Sequence, residues 1–186
     1  MKAIDVIEGN VSVLDRADVD TDQIIPKQFL KRVEKTGFGE FLFYDWFRDG
    51  EIELGPNPIL VAGPNFGSGS SREHAVWALA DYGFEAVIAP SFSDIFYVNS
   101  TKNGLLPVIL PRETCRAIAE AGRARIDLDE LTVTFADGVS EFEVDEEVRH
   151  RLLHGHDEIA ITLQRDREIG AYEDANPVLG RATTAL

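Results

Sequence analysis

Three unbroken apolar runs organise the middle of the chain: "ILVA" at 59–62, "AVIAP" at 86–90 and "LLPVIL" at 105–110. Each has the length of a strand and is bounded by glycine, proline or polar residues, the pattern of strands buried on both faces. Between them, polar and apolar positions mix at helical spacing. "SSREHAVWALADYG" predicts a helix over 70–82 that stops at Gly83, and "SDIFYVNSTKNG" predicts one opened by Ser93 or Asp94 and closed at Gly104. Strand, helix, strand, helix, strand makes consecutive βαβ units, so the expected class is α/β with a mainly parallel central sheet.

The flanks are less regular. "VSVLD" at 11–15 reads as a strand, "ADVDTDQIIP" at 17–26 as a polar loop, and 112–123 as a further helix. "LTVTFADGVSEFEV" alternates Leu131, Val133 and Phe135 around Asp137-Gly138 and predicts a hairpin. "DEEVRHRLLHG" reads as a helix, "EIAITL" at 158–163 as a strand, and 176–186 as a loose tail. Residues 27–50, "KQFLKRVEKTGFGEFLFYDWFRDG", fit no period. They suggest an irregular segment packed through Phe41, Phe43, Trp46 and Phe47, and a candidate functional loop.

With 186 residues and 44% hydrophobic content, one globular domain over 1–186 is expected. The start, "MKAIDVIEGNVSVL", has no unbroken apolar stretch and no later run reaches membrane-spanning length, so a cytoplasmic protein is expected. A formal charge of −15 argues against nucleic acid and anionic membranes as partners. It also means that an anionic ligand needs a local pocket of positive charge. The single cysteine, Cys115, supplies neither a disulfide nor the thiolates of an iron-sulfur cluster.

Several chemistries fail on spacing. Asp18, Asp20 and Asp22 imitate the start of a calcium loop, but Gln23 and Phe29 stand where glycine and glutamate are needed. His150 and His154 are one helical turn apart without the glutamate of a zinc helix. Residues 63–69 lack the Gly-Lys-Ser/Thr ending of a phosphate loop, and no G-x-S-x-G is present.

"GPNFGSGSSREHA" at 63–75 remains. Ser70 and Glu73 fit a capping box, in which each side chain satisfies a free amide at a helix start. That leaves Gly67, Ser68, Gly69, Ser71 and Arg72 unexplained at the same point. Glycines there let a backbone approach a ligand, free amides and the helix dipole attract an anion, and Arg72 adds a two-pronged clamp. Residue types alone leave carboxylate and phosphate both open.

The same stretch, "NFGSGSSREHA", resembles the hallmark loop of the swivelling domain of the aconitase family. "DVDTDQIIPKQFL" and "DYGFEAVIAPSFSDIFYVNSTKNGLLPV" extend the likeness to the small-subunit branch of bacterial 3-isopropylmalate dehydratases, in order through 11–111 and more weakly to 177. The resemblance implies a three-layer β/β/α swivelling fold and a hydro-lyase of leucine biosynthesis. It also implies a small dicarboxylate substrate and a large-subunit partner that carries a [4Fe-4S] cluster. No cofactor is then expected on this chain. By resemblance Ser70 is the catalytic base, working as an alkoxide, and Ser71 and Arg72 bind a substrate carboxylate beside Gly67 and Gly69. Asp22 pairs with a catalytic histidine of the partner, and Lys31 and Arg32 read the variable arm of the substrate. Homoaconitate or methyl-substituted malates are alternative substrates, and a non-catalytic phosphate-binding module is an alternative of another class.

Overall fold

Chain order in the computed structural model is β1 (Val6–Leu14), α1 (Thr21–Ile24), α2 (Tyr44–Arg48), β2 (Ile59–Ala62), α3 (Glu73–Tyr82), β3 (Ala86–Ala89), α4 (Asp94–Asn103) and β4 (Leu106–Ile109). It continues with α5 (Arg112–Ala121), β5 (Arg123–Asp127), β6 (Thr132–Phe135), β7 (Gly138–Glu141), α6 (Glu146–His154), α7 (Glu158–Leu163) and α8 (Asp166–Ala175). The structure describes residues 1–31, 36–136, 138–163 and 165–176. They fall into two units, Met1–Gly155 and His156–Leu186.

In the first unit the seven strands form one curled sheet in the order β4-β3-β2-β1-β5-β6-β7. β1 is the pivot. Its second half, Val11–Leu14, runs parallel to β2, while Val6–Asn10 runs antiparallel to β5. β2, β3 and β4 continue in parallel, and β5, β6 and β7 in antiparallel. The residue pattern explains the change. β2 and β3 are buried at every position, as a strand covered on both faces must be. β5 alternates exposed Arg123 and Arg125 with buried Ala124 and Ile126, so one of its faces meets water. There Arg123 and Arg125 donate to Glu8 of β1 at 2.9 and 3.5 Å.

Two cores follow from the period of two along the parallel strands. Leu60, Ala62, Val87 and Ala89 pack with Ala75, Val76 and Leu79 of α3 and Phe96 of α4. Ile59, Val61, Ala86 and Ile88 point the other way and pack with Cys115 and Ile118 of α5 and Leu152 of α6. Helices on both faces of the parallel strands complete the mixed α/β fold.

The described residues of the 27–50 segment are irregular as expected, with single 3₁₀ turns at Lys27–Phe29 and Gly39–Phe41 before α2. It is held by aromatic packing: Phe29 stacks on Phe41 at 4.0 Å and Phe43 on Trp46 at 5.4 Å. Phe38, Leu42 and Phe43 are fully buried in the first core. The hairpin closes from Phe135 to Gly138, so Gly138 opens β7 rather than the turn, and Asp137 lies outside the described residues.

Four expectations change. "ADVDTDQIIP", expected as a polar loop, holds α1 at Thr21–Ile24 and buries Val19, Ile24 and Ile25. "VSVLD" is only the second half of β1, which begins at Val6. The helix expected from Ser70 begins at Glu73. "EIAITL" is helical rather than extended: the Asp157 side chain accepts from the Ala160 amide at 2.8 Å and caps α7. A strand needs a neighbour for its ladder, whereas a capped helix satisfies its own backbone. α8 follows where no element was expected, and the tail from 177 lies outside the described residues.

Candidate functional site

Segment 18–21 and segment 64–70 are distant in sequence and zipped together in space. The Asp18 amide donates to Pro64 O at 2.9 Å, Gly67 and Ser68 amides to Val19 O at 2.9 and 3.0 Å, and the Thr21 amide to Ser68 O at 2.9 Å. Side chains close the seam: Asn65 donates to Asp18 Oδ1 at 2.8 Å and Thr21 Oγ1 to Ser70 O at 3.0 Å. The "DVDTD" and "NFGSGSS" motifs are therefore one structural unit at the carboxyl ends of parallel β1 and β2.

Within it the capping box is not where Ser70 and Glu73 suggest. The position before α3 is Arg72, in extended backbone, with no side-chain cap. The capping box belongs to α1. There Asp20 Oδ1 accepts the Asp22 amide at 2.6 Å, the same side chain takes the Gln23 amide, and Gln23 Oε1 accepts the Asp20 amide at 2.8 Å. Asp-x-x-Gln was the signal for it in the sequence. Ser70 is exposed, and its hydroxyl makes no hydrogen bond among the described residues. Among those residues the amides of Gly69, Ser70 and Ser71 likewise find no acceptor. The stretch thus presents donors and a free hydroxyl to the outside.

Arg72 and Asp22 come together directly. The Arg72 side chain is only 10% exposed, and its guanidinium grips both carboxylate oxygens of Asp22, Nη1 on Oδ1 and Nη2 on Oδ2. Lys27 Nζ lies 3.5 Å from Oδ2. The Arg72 hydrogen bond, helped by the charges of Arg72 and Lys27, holds the Asp22 carboxyl below its ordinary pKa, so it is anionic. Lys27 is a cation of the site that the sequence reading passed over.

The two glycines are explained by internal packing. Gly67 has φ +75°, and a Cβ there would stand 2.2 Å from the Phe96 ring of α4; Gly69 has φ +87°, and its Cβ would meet Asp20 Oδ2 at 2.2 Å. Their requirement is close approach to α4 and to the α1 cap. Lys31 is exposed beyond the first 3₁₀ turn, and Arg32 lies outside the described residues.

α4 is the part of the site that the sequence did not announce. Its N-cap, Ser93, donates to Gly67 O at 2.5 Å. Asn99 donates to Ser71 Oγ at 3.4 Å, and Asn103 donates to Glu73 Oε1 at 3.3 Å while accepting from Trp77 Nε1 at 2.9 Å. Asparagines at i and i+4 on a helix predicted to follow the loop were the available signal. His74 sits edge-on to Phe38 at 5.3 Å and near Trp77 at 4.7 Å, tying α3 to the buried part of the 27–50 segment. Burial lowers its pKa.

An iron-sulfur cluster does not fit these residues. Cys115 is 4% exposed, its thiol donates to Leu110 O at 3.4 Å, and burial pushes its pKa up to about 11, far from the thiolate a cluster binds. Among the described residues no group of three His, Cys, Asp or Glu converges to hold a metal ion. Nor is any described helix long and apolar enough to cross a membrane.

Comparison with known proteins bears on this geometry. Residues 47–113 match the family described as the aconitase C-terminal domain. A 3-isopropylmalate dehydratase small subunit of Rhodopirellula baltica is 52% identical, covering 94% of this chain and 99% of its own. One from Halalkalibacterium halodurans is 49% identical, covering 93% and 98%. A crystal structure of 3-isopropylmalate dehydratase from Methanocaldococcus jannaschii superposes with a TM-score of 0.70 at 29% identity, covering 90% of this chain and 99% of that one.

Proposed function

This chain belongs to the family of 3-isopropylmalate dehydratase small subunits, and from that premise we propose how its residues serve the reaction. With a large subunit it interconverts 2-isopropylmalate and 3-isopropylmalate, removing water to give an unsaturated diacid and adding it back with the opposite orientation. In the first half a proton leaves carbon beside a carboxylate, the C–H pair becomes the double bond, and hydroxide leaves the neighbouring carbon. Hydration reverses these steps at exchanged positions.

Ser70 takes the proton. A serine hydroxyl is ordinarily far too weak an acid to serve as its own alkoxide, so the anion needs donors fixed before the reaction begins. The amides of Gly69 and Ser71, which find no acceptor among the described residues, and Arg72, whose side chain is only 10% exposed, are such donors. Ser71 and Arg72 hold the carboxylate next to the carbon that loses the proton, where charge builds. Asp22 holds Arg72 from behind and faces the partner's histidine. Lys31 and Arg32 meet the variable arm of the substrate. The described residues of this chain offer one buried cysteine and no metal-holding group, so the reading gives the large subunit a [4Fe-4S] cluster, which would supply Lewis acidity toward the leaving hydroxide. A reducing cytoplasm suits such a thiolate-held cluster.

The observation that carries the reading is the Ser70 hydroxyl, which with the neighbouring amides has no partner among the described residues, in the same loop as a fixed guanidinium. The test is turnover of 2-isopropylmalate, homoaconitate and methyl-substituted malates by the chain alone and with a cluster-bearing large subunit. Turnover of 2-isopropylmalate only with the partner is expected. A brown, active preparation of the single chain would refute the division of labour.

A further inference from the structure

Building on the carboxylate-binding role proposed for Ser71, we infer that Asn99 is a positioning residue that sets the direction of the Ser71 hydroxyl. Ser71 is exposed at the mouth of the site, and a lone hydroxyl rotates freely about its C–O bond. Left to itself, it presents lone pairs to an anion as readily as its proton. Asn99 removes that freedom. Its Nδ2 carries only donors, and it donates to Ser71 Oγ at 3.4 Å. An oxygen that accepts from α4 turns its own hydrogen away from α4, toward the open side where a carboxylate would lie.

The orientation of Asn99 is itself held at both ends of α4. On one side the Ser93 hydroxyl is bound to Gly67 O at 2.5 Å and the Ser93 amide to Phe66 O at 3.1 Å. On the other, Asn103 takes the Trp77 indole N–H at 2.9 Å and donates to Glu73 Oε1 and to Asn99 O at 3.3 and 2.9 Å. The loop before α3 and the first turn of α3 are thus referenced to one rigid helix, and Asn99 stands between the two anchors. Asn99 is half-buried as a residue, while the contact of its amide with Ser71 Oγ lies open to solvent, as the rim of a substrate site must.

Because Asn99 acts through Ser71 alone, its effect must vanish when Ser71 has no hydroxyl. The experiment is a double-mutant cycle in the assembled two-subunit enzyme, with 2-isopropylmalate as substrate. Asn99→Ala is expected to lower kcat/KM about 3- to 10-fold, the size of one neutral hydrogen bond, by raising KM and, because Ser71 holds the carboxylate where charge builds, also by lowering kcat. Ser71→Ala is expected to cost more, and the double variant to match Ser71→Ala. Asn99→Asp keeps the shape but turns the donor into an acceptor that captures the Ser71 proton, so it should exceed Asn99→Ala in its effect. Independent, multiplying effects in the cycle, or a fall in Tm and kcat with KM unchanged, would overturn the inference. Failure of the wild-type pair to turn over 2-isopropylmalate at all would sink the functional reading first, and the inference with it.

Discussion

Replacing Ser70 with alanine deletes one hydroxyl and nothing else, and the structure says what that hydroxyl does not do. α3 starts at Glu73 and takes no side-chain cap, while Ser70 is exposed with no partner for its hydroxyl among the described residues. Its loss therefore belongs to surface substitutions, with a stability change within about 0.5 kcal/mol. In a chain of this size that is about 2 °C in Tm or less. A helix cap would have cost about 0.5–2 kcal/mol. The catalytic loss is of another order: removing a general base typically lowers the rate about 100- to 10,000-fold, or about 2.7–5.4 kcal/mol in the barrier. The assay is formation of the conjugated diacid, followed by its ultraviolet absorbance with the large subunit present, beside a thermal melt of the isolated chain. Ser70→Ala should bind its partner, melt normally and turn over almost nothing. A variant that melts several degrees early yet turns over within about threefold of wild type would refute the argument, because the hydroxyl would then be structural.

Arg72→Lys keeps the charge but loses the fork that grips Asp22, so kcat/KM should fall about 10- to 150-fold on every malate-like substrate alike, checked across an alkyl and a carboxylated series. Lys31→Leu should instead change the ratio of kcat/KM between those two series, and an unchanged ratio would return Lys31 to the solvated surface. Asp22→Asn should slow turnover and flatten the acid limb of the stability curve. The folded pKa of Asp22 is lowered from 3.8, so its contribution is full above that value and is lost as pH falls through the folded one. His74→Gln should flatten a different limb: with the folded pKa lowered from 6.5 by burial, the unfolded chain binds more protons just below pH 6.5, and wild-type stability declines there as pH drops. Melting across the neutral-to-acid range with each variant separates the two.

The parallel half of the fold was legible because "ILVA", "AVIA" and "LPVI" are short unbroken apolar runs, which β2 and β3 bury at every position and β4 at all but Ile109. The antiparallel half was only partly so. "VIEGN" at 6–10 and "RARID" at 123–127 place charged residues on a wet face, and their pairing across the chain is a tertiary fact that neither segment announces. "EIAITL" misled because Ile and Thr favour strands wherever a neighbour exists, and only the Asp157 cap marks the helix. At the site, residue types pointed to the right loop but assigned capping to the wrong residues. Both Asp20-Gln23 and Ser70-Glu73 fit the pattern, and only backbone geometry decides which helix starts there. Asn99 and Asn103 were harder to read for a simpler reason: their i, i+4 spacing on a predicted helix was the available signal, but it names no partner until the neighbour across the gap is known.

The pairing of Arg72 with Asp22 bears on how one residue can serve both a fold and a substrate. A guanidinium has five N–H donors, and Asp22 takes one from each terminal nitrogen, so three remain. A substrate carboxylate can therefore approach the unused edge without displacing Asp22. The two anions then lie on different sides of one planar cation, and each favours the orientation the other needs. Nine-tenths burial makes this arrangement necessary, since a guanidinium so far removed from water and left unpaired would carry a large desolvation penalty. Asp22 supplies the compensating charge permanently. The clamp is then rigid before any ligand arrives, and the reaction need not reorganise it while charge is developing on the substrate. In a chain of net charge −15, a local cation is in this way committed to one chosen carboxylate, and on the proposed reading its remaining donors serve the substrate.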